Sequence, residues 1–253
     1  MSNNISSNER KSLQGLWSSR VTFILAVTGS AIGLGNIWKF PYIAGANGGG
    51  AFVIIYLICI FLIGFPIMVS EILLGRRGRR NPITSMKLLG KEETGHGSWK
   101  IVGFIGLFSG FLILSYYSVI AGWTLHYFVL SLSGVFNEIN SEEVNFIFNE
   151  LTGSIKTQAI FHTLFMISTV IIIAKGIKNG LEKTVTVMMP ALLIIMLILL
   201  IYSITQGDFT KGVEFLLKPD FSKITSDSIL SAMGHAFFTL SLGMGCVVMY
   251  GAY

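Results

Sequence analysis

Long runs without a charge constrain this chain more than any other feature. ALLIIMLILLIYSI at 191–204 and FVIIYLICIFLIGFPIMV at 52–69 contain no Asp, Glu, Lys or Arg. About 20 apolar residues are needed to cross the hydrocarbon of a bilayer. Hydrocarbon cannot solvate backbone N–H and C=O groups, so only helices and closed barrels span it. Barrel strands are about half as long and alternate polar with apolar residues, so these runs read as helices. The 12% charged residues, against roughly 25% in an average soluble protein, agree. The fold class is all-α integral membrane protein.

Apolar runs bounded by charge, Pro or Gly predict six spans, at about 20–45, 51–75, 99–133, 158–175, 184–205 and 228–253. With the N-terminus inside, Arg10, Lys11, Arg20, Arg76, Arg77, Arg79, Arg80, Lys87, Lys91, Lys100, Lys175, Lys178 and Lys183 all become cytoplasmic. That is the positive-inside pattern. The opposite loops are net acidic, with Glu138, Glu142, Glu143, Glu150, Asp208, Glu214, Asp220 and Asp227 against Lys156, Lys211, Lys218 and Lys223. The net charge of +5 is explained by the bilayer and asks for no nucleic acid. Residues 1–17 are polar, and the apolar run that follows is too long for a signal peptide and lacks its small-residue cleavage site, so they read as a cytoplasmic tail of a plasma-membrane protein. Cys59 and Cys246 lie inside apolar segments and read as small core residues rather than a disulfide or metal pair. The aromatic stripe of the third span, Phe111, Tyr116, Tyr117, Trp123 and Tyr127, has packing as its simplest reading.

Two spans interrupt themselves. AIGLGN at 31–36 and SLGMGC at 241–246 each put Gly-x-Gly inside an apolar run. Paired glycines weaken a helix by about 1 kcal/mol each and free backbone groups that something polar must satisfy. One such motif alone would read as close helix packing, through Gly29 and Gly33 or through Gly110. Two, in corresponding places of two halves, point to a transporter of inverted repeats with its site at mid-membrane. There the carbonyl end of one half-helix suits a cation and the amide end of the next suits an anion.

GSAIGLGNIWKFPYIAGANGGGAF (29–52) and GHAFFTLSLGMG (234–245) closely resemble the neurotransmitter:sodium symporter family, especially its bacterial amino-acid transporters. GFPIMVSEILLGR (64–76), SYYSVIAGWTL (115–125) and FLLKPDFSKI (215–224) extend the likeness over nearly the whole chain. The resemblance implies the leucine-transporter-type inverted-repeat fold: a tail at 1–17, the first five-helix repeat at 18–205, an extracellular loop at 206–227 and the start of the sixth helix at 228–253. It implies one sodium held by the carbonyls of Gly29 and Ile32, completed by an eighth helix. A second sodium would take the Ala31 carbonyl, Asn36 and Thr239, with a substrate carboxylate and a seventh-helix Asn. No Cys/His cluster argues for any metal beyond sodium, and oxygen ligands suit that hard cation.

By the same resemblance, the amides near Leu34 and Gly35 and the Tyr117 hydroxyl would meet the substrate carboxylate, with Ala31 and Thr239 beside it. Ile113, Ile120, Phe238, Ser241 and Met244 would line an uncharged pocket for a neutral, apolar or aromatic amino-acid side chain. Gly33 stands where monoamine transporters place an Asp, so the substrate should bring its own carboxylate. Lys39 replaces the Arg of the family's outer gate and offers a point charge rather than a bidentate fork. At the inner gate Trp17 matches, while Gln14 stands where an Arg is expected, near Arg10 and Lys11. His235 replaces a common Gln beside Tyr56 and Thr239, where animal members bind chloride; whether chloride is needed turns on a seventh-helix residue. Glu71, near the inner end of span two, reads equally as a functional acid or as a structural partner for backbone.

Nine residues from Gly245 to Tyr253 make only about 13 Å of helix, so the chain is expected to be the N-terminal part of a longer protein. The expected function is sodium-coupled amino-acid symport, with no catalysis; a non-transporting fragment is the alternative and an ion channel a weaker one. Oligomeric state is left open. A serine hydrolase of Ser241 and His235 is disfavoured because six helical residues turn them to different faces and no Gly-x-Ser-x-Gly elbow is present.

Overall fold

The computed structural model describes Arg10, residues 16–137 and residues 139–253. Lys11, Gln14, Glu138 and most of the tail lie outside the described residues. Two compact units are present, one of Met1–Phe108 with Glu182–Tyr253 and one of Ser109–Leu181.

In the first unit, α1 (Arg20–Ala31) starts at a reciprocal Ser19/Thr22 cap. It stops where Ile32 turns extended, at φ −93° and ψ 96°. After this interruption a π-helical turn, Gly35–Lys39, runs into α2 (Phe40–Ala46). The two parts of the first span meet at 53°. The next span is α3 (Gly50–Cys59), a π turn at Ile60–Gly64 and α4 (Phe65–Gly78). Both π turns lead into Phe-Pro, at Phe40-Pro41 and Phe65-Pro66. Proline lacks the N–H for an i→i−4 bond and its ring crowds that carbonyl. A wider turn, with Phe40 and Phe65 donating five residues back to Gly35 and Ile60, accommodates it.

A short helix α5 (Pro82–Thr94) follows, capped by the Asn81 side chain, and a 3-10 turn at Gly97–Trp99 leads into α6 (Lys100–Leu132). At 33 residues α6 is about 50 Å long, well beyond the hydrocarbon thickness. The second unit continues with α7 (Ser141–Gly153) and α8 (Ile155–Ala174). Its internal ties include a Trp123 Nε1 bond to Gln158 Oε1 at 3.2 Å. A π turn at Ile177–Glu182 precedes α9 (Lys183–Gln206). α10 (Phe209–Leu217) and a 3-10 turn occupy the predicted loop before α11 (Ser226–Thr239) and α12 (Cys246–Gly251).

Four helical stretches, Gly50–Gly78, Gly97–Leu132, Ile155–Ala174 and Ile177–Gln206, are long and apolar enough to cross a membrane, and the bent first segment makes a fifth. The protein is multi-pass. Predicted boundaries agree within a few residues, and the sixth segment is helix on both sides of a non-helical Leu240–Gly245.

Buried Ala44, Phe52 and Ala232 pack α2, α3 and α11 together, with Phe40, Ile43, Val53, Ile55, Tyr56 and Ile224 around them. Thr225 caps α11, and Ser228 Oγ donates to Asn47 Oδ1 at 2.6 Å, fixing α11 to the end of α2. α12 lies directly on α4: a Cβ on Gly75 would collide with the Val248 carbonyl, and one on Gly251 would lie 2.5 Å from the Ile72 carbonyl.

Candidate functional site: two broken helices joined

The two interruptions belong to the first unit and touch each other. Asn36, in the π turn that opens the second half of the first span, donates from Nδ2 to the Ala31 carbonyl at 2.6 Å. Its Oδ1 accepts from Thr239 Oγ1 at 3.0 Å, and Tyr56 OH donates to Thr239 Oγ1 at 3.2 Å. One chain of polar groups thus runs from the carbonyl end of α1 through Asn36 to the end of α11 and on to α3. Ser241 Oγ makes a second tie, donating to the Ser30 carbonyl at 3.2 Å.

The last turn of α1 has carbonyls that no further helical residue can meet. Thr28 O accepts from Ile32 N at 2.9 Å, and those of Ser30 and Ala31 accept from side chains. Gly29 sits on the same turn against Met189 of α9, and Ile32 is the capping residue. Leu34 and Gly35 open the second half-helix, with Asn36 N donating to Gly33 O at 3.0 Å. A Cβ on Gly35 would stand 3.2 Å from the Phe238 ring, so the backbone there approaches α11 closely.

In the sixth segment, Ser241 has φ +54°, and Gly243 and Gly245 both have φ +77°. Left-handed backbone at three alternate residues cannot continue a right-handed helix, and two of the three are the residue that tolerates it best. Leu240 N, Ser241 N and Leu242 N bond back to Ala236, Phe238 and Phe237 carbonyls. The amide of Gly243 donates instead to Glu71 Oε1 at 2.7 Å. Of the two readings for Glu71, the structure supplies the structural one: its carboxylate, 9% exposed, satisfies the backbone of the broken segment. Met244 follows in the same break, half-buried.

Of the predicted site residues, the structure brings together Ala31, Asn36 and Thr239, and sets Gly35 against Phe238. Ile113 and Tyr117 are half-buried on α6 in the second unit, as is Ile120. Lys39 is exposed and makes no ion pair among the described residues. Trp17 Nε1 donates to the Tyr250 carbonyl at 3.1 Å, with its ring 6.0 Å from that of Tyr250 and 6.2 Å from Phe23. His235 is buried between Phe40 and Tyr56, at 5.2 and 5.7 Å between ring centroids. Ser241 and His235 are thereby kept on separate partners. The helical-rotation reason for this was incomplete, because helix ends before Ser241. Sequence reasoning missed Ser30, whose role is carried by its carbonyl and leaves no trace in residue type.

The profile of the Sodium:neurotransmitter symporter family matches residues 14–144 and 136–253. An uncharacterized sodium-dependent transporter, YhdH, of Bacillus subtilis (strain 168) is 41% identical over 97% of this chain and 53% of its own length. One from Methanocaldococcus jannaschii is 36% identical over 94% of this chain and 49% of its own. The crystal structure of MhsT in complex with L-phenylalanine is 42% identical, with TM-score 0.84, covering 94% of this chain and 53% of that one. The fold is of the leucine-transporter type, and the chain spans about half the length of the curated relatives it matches. With the family profile covering both broken helices and the residues that join them, the chain belongs to the sodium:neurotransmitter symporter family.

Proposed function

We propose that this chain forms part of a symporter that couples sodium to the uptake of a neutral amino acid with an apolar or aromatic side chain, by alternating access. The observation that carries the reading is the hydrogen-bonded chain from Ala31 through Asn36 to Thr239, which gathers oxygens from both broken helices at one point. An all-oxygen set suits sodium. One sodium would be held there, and a second by the carbonyls of Gly29 and Ile32, each with ligands from further helices.

The substrate carboxylate would meet Leu34, Gly35 and Tyr117, and its side chain Ile113, Phe238, Ser241 and Met244. The phenylalanine of the MhsT complex supports an aromatic guest, as does Phe238 lying against Gly35. Lys39 and Trp17 would serve as outer and inner gate groups. The positive-inside pattern supports a plasma-membrane protein with a cytoplasmic N-terminus. Coupling follows from linkage: sodium and carboxylate share contacts, so each tightens the other, and the loaded state completes the cycle.

Replacing Asn36 with Ala tests the assignment. Amino-acid binding measured against sodium should need at least about tenfold more sodium, a loss of roughly 1.4 kcal/mol. Unchanged sodium dependence would remove Asn36 from the site.

A further inference from the structure

The turn from α4 through α5 into α6 holds seven cations, from Arg76 to Lys100, against two acids, Glu92 and Glu93. Both acids are taken: Arg77 pairs with Glu92 and Glu93, and Arg10 pairs with Glu92. Lys87 and Lys91 make no ion pair among the described residues. They stand one turn apart on α5, both exposed, where like charges repel. Their stems converge on one glycine: a Cβ on Gly97 would lie 3.1 Å from Lys91 Cε and 3.4 Å from Lys87 Cγ.

Beside them Trp99 lies against Gly90, donates from Nε1 to Thr94 Oγ1 at 3.2 Å and remains 47% exposed. It immediately precedes the first residue of α6, a helix long and apolar enough to cross a membrane, and tryptophan is enriched at the ends of such helices, where hydrocarbon meets headgroups. α4, the end of another crossing stretch, brings exposed Arg76 and half-buried Arg79 to the same turn.

We propose that Lys87, Lys91 and Trp99 form a binding site for the headgroup of an anionic phospholipid. The phosphodiester would sit between the two ammonium groups and relieve their repulsion, while the indole lies along the acyl boundary. Arg76, Arg79 and Lys100 deepen the positive potential around it. The site rests on the orientation proposed above only in being assigned to the cytoplasmic leaflet.

The test is native mass spectrometry of the purified protein from mixed micelles of phosphatidylglycerol and phosphatidylcholine. Phosphatidylglycerol should be retained selectively. The double variant Lys87→Gln/Lys91→Gln should bind it about 30-fold more weakly, which is roughly 1 kcal/mol for each lysine. Lys87→Arg/Lys91→Arg should keep it, as should Lys211→Gln, which removes a cation paired with Asp208 in the opposite loop. Equal retention of both lipids would overturn the proposal, as would an unaffected double variant. Displacement of the lipid by an equal concentration of inorganic phosphate would also overturn it, showing a site for free anions. Orientation is read separately, by labelling Thr94→Cys with an impermeant maleimide in a Cys59→Ala/Cys246→Ala background. Labelling from outside would refute the orientation alone and leave the lipid measurement standing.

Discussion

Replacing Thr239 with Val keeps the shape of the side chain and removes the hydroxyl that ties Asn36 of the first broken helix to the sixth. In the structure that hydroxyl donates to Asn36 Oδ1 at 3.0 Å and accepts from Tyr56 OH at 3.2 Å. The variant leaves an amide oxygen without its donor and a phenol without its acceptor. Orphaned polar groups cost about 1–3 kcal/mol each when buried. These are partly buried, so the lower end applies, and sodium-free protein should lose about 2 kcal/mol of stability. If Thr239 is also a sodium ligand, a methyl group replaces one of the ion's oxygens. A comparable 2 kcal/mol then appears as about a thirtyfold rise in the sodium required for half-maximal amino-acid binding. Thermal melting without sodium reads the first quantity and a sodium titration of amino-acid binding reads the second. Thr239→Ser, which keeps the oxygen, should restore most of both. A valine variant that melts lower yet keeps its sodium dependence would refute the ligand role and leave the hydroxyl a structural tie.

Three further outcomes follow from the same geometry. Glu71→Ala should orphan the Gly243 amide, in a part-buried bond, and cost about 1 kcal/mol, while Glu71→Gln, which still presents an oxygen, should melt closer to the parent. Equal losses in the two would show that charge, not acceptance, is what the break needs. Gly33→Asp should abolish amino-acid binding by setting a carboxylate against that of the substrate; normal binding would mean the substrate lies otherwise. Outside the membrane, the bond from the Lys211 amide holds the Asp208 carboxyl below the usual Asp range, and the Ser222 hydroxyl does the same for Asp220. A depressed folded pKa means that each cap contributes fully above the ordinary Asp value of about 3.9 and is lost as pH falls through the lower folded value. Hydrogen exchange at Lys211 and Ser222 amides should therefore lose protection only below that ordinary value; loss at pH 6 would contradict it.

The spans and both interruptions were legible because hydrocarbon leaves a chain few options: a run of twenty apolar residues must be helix, and Gly-x-Gly inside one must be answered by polar groups. Asn36 and Thr239 were legible only through resemblance, since neither residue type announces an ion by itself. α5, α7 and α10 were not read as helices. Each has 13 residues or fewer, too short for the span criterion. The π turns escaped as well. Two of the three are followed by Phe-Pro, yet the turn at Ile177–Glu182 is not, and Pro190 lies inside α9 without such a turn, so proline alone does not specify it. Glu71 was left between two readings because its partner, a backbone amide, belongs to a residue 172 positions away.

The contact of α4 with α12 has a mechanical consequence. Where Gly75 and Gly251 face opposing carbonyls, no side chain lies between the two backbones to change rotamer and absorb a displacement. The joint is keyed rather than cushioned: at these two positions backbone meets backbone, and a displacement of α12 would press directly on α4. Compliance has to come from Leu240–Gly245, where the chain is not helical. The carboxylate that grips this hinge, Glu71, rides on α4 itself. The second span and the end of the sixth are thus bound twice, by backbone contact through Gly75 and Gly251 and by the Glu71 bond to Gly243.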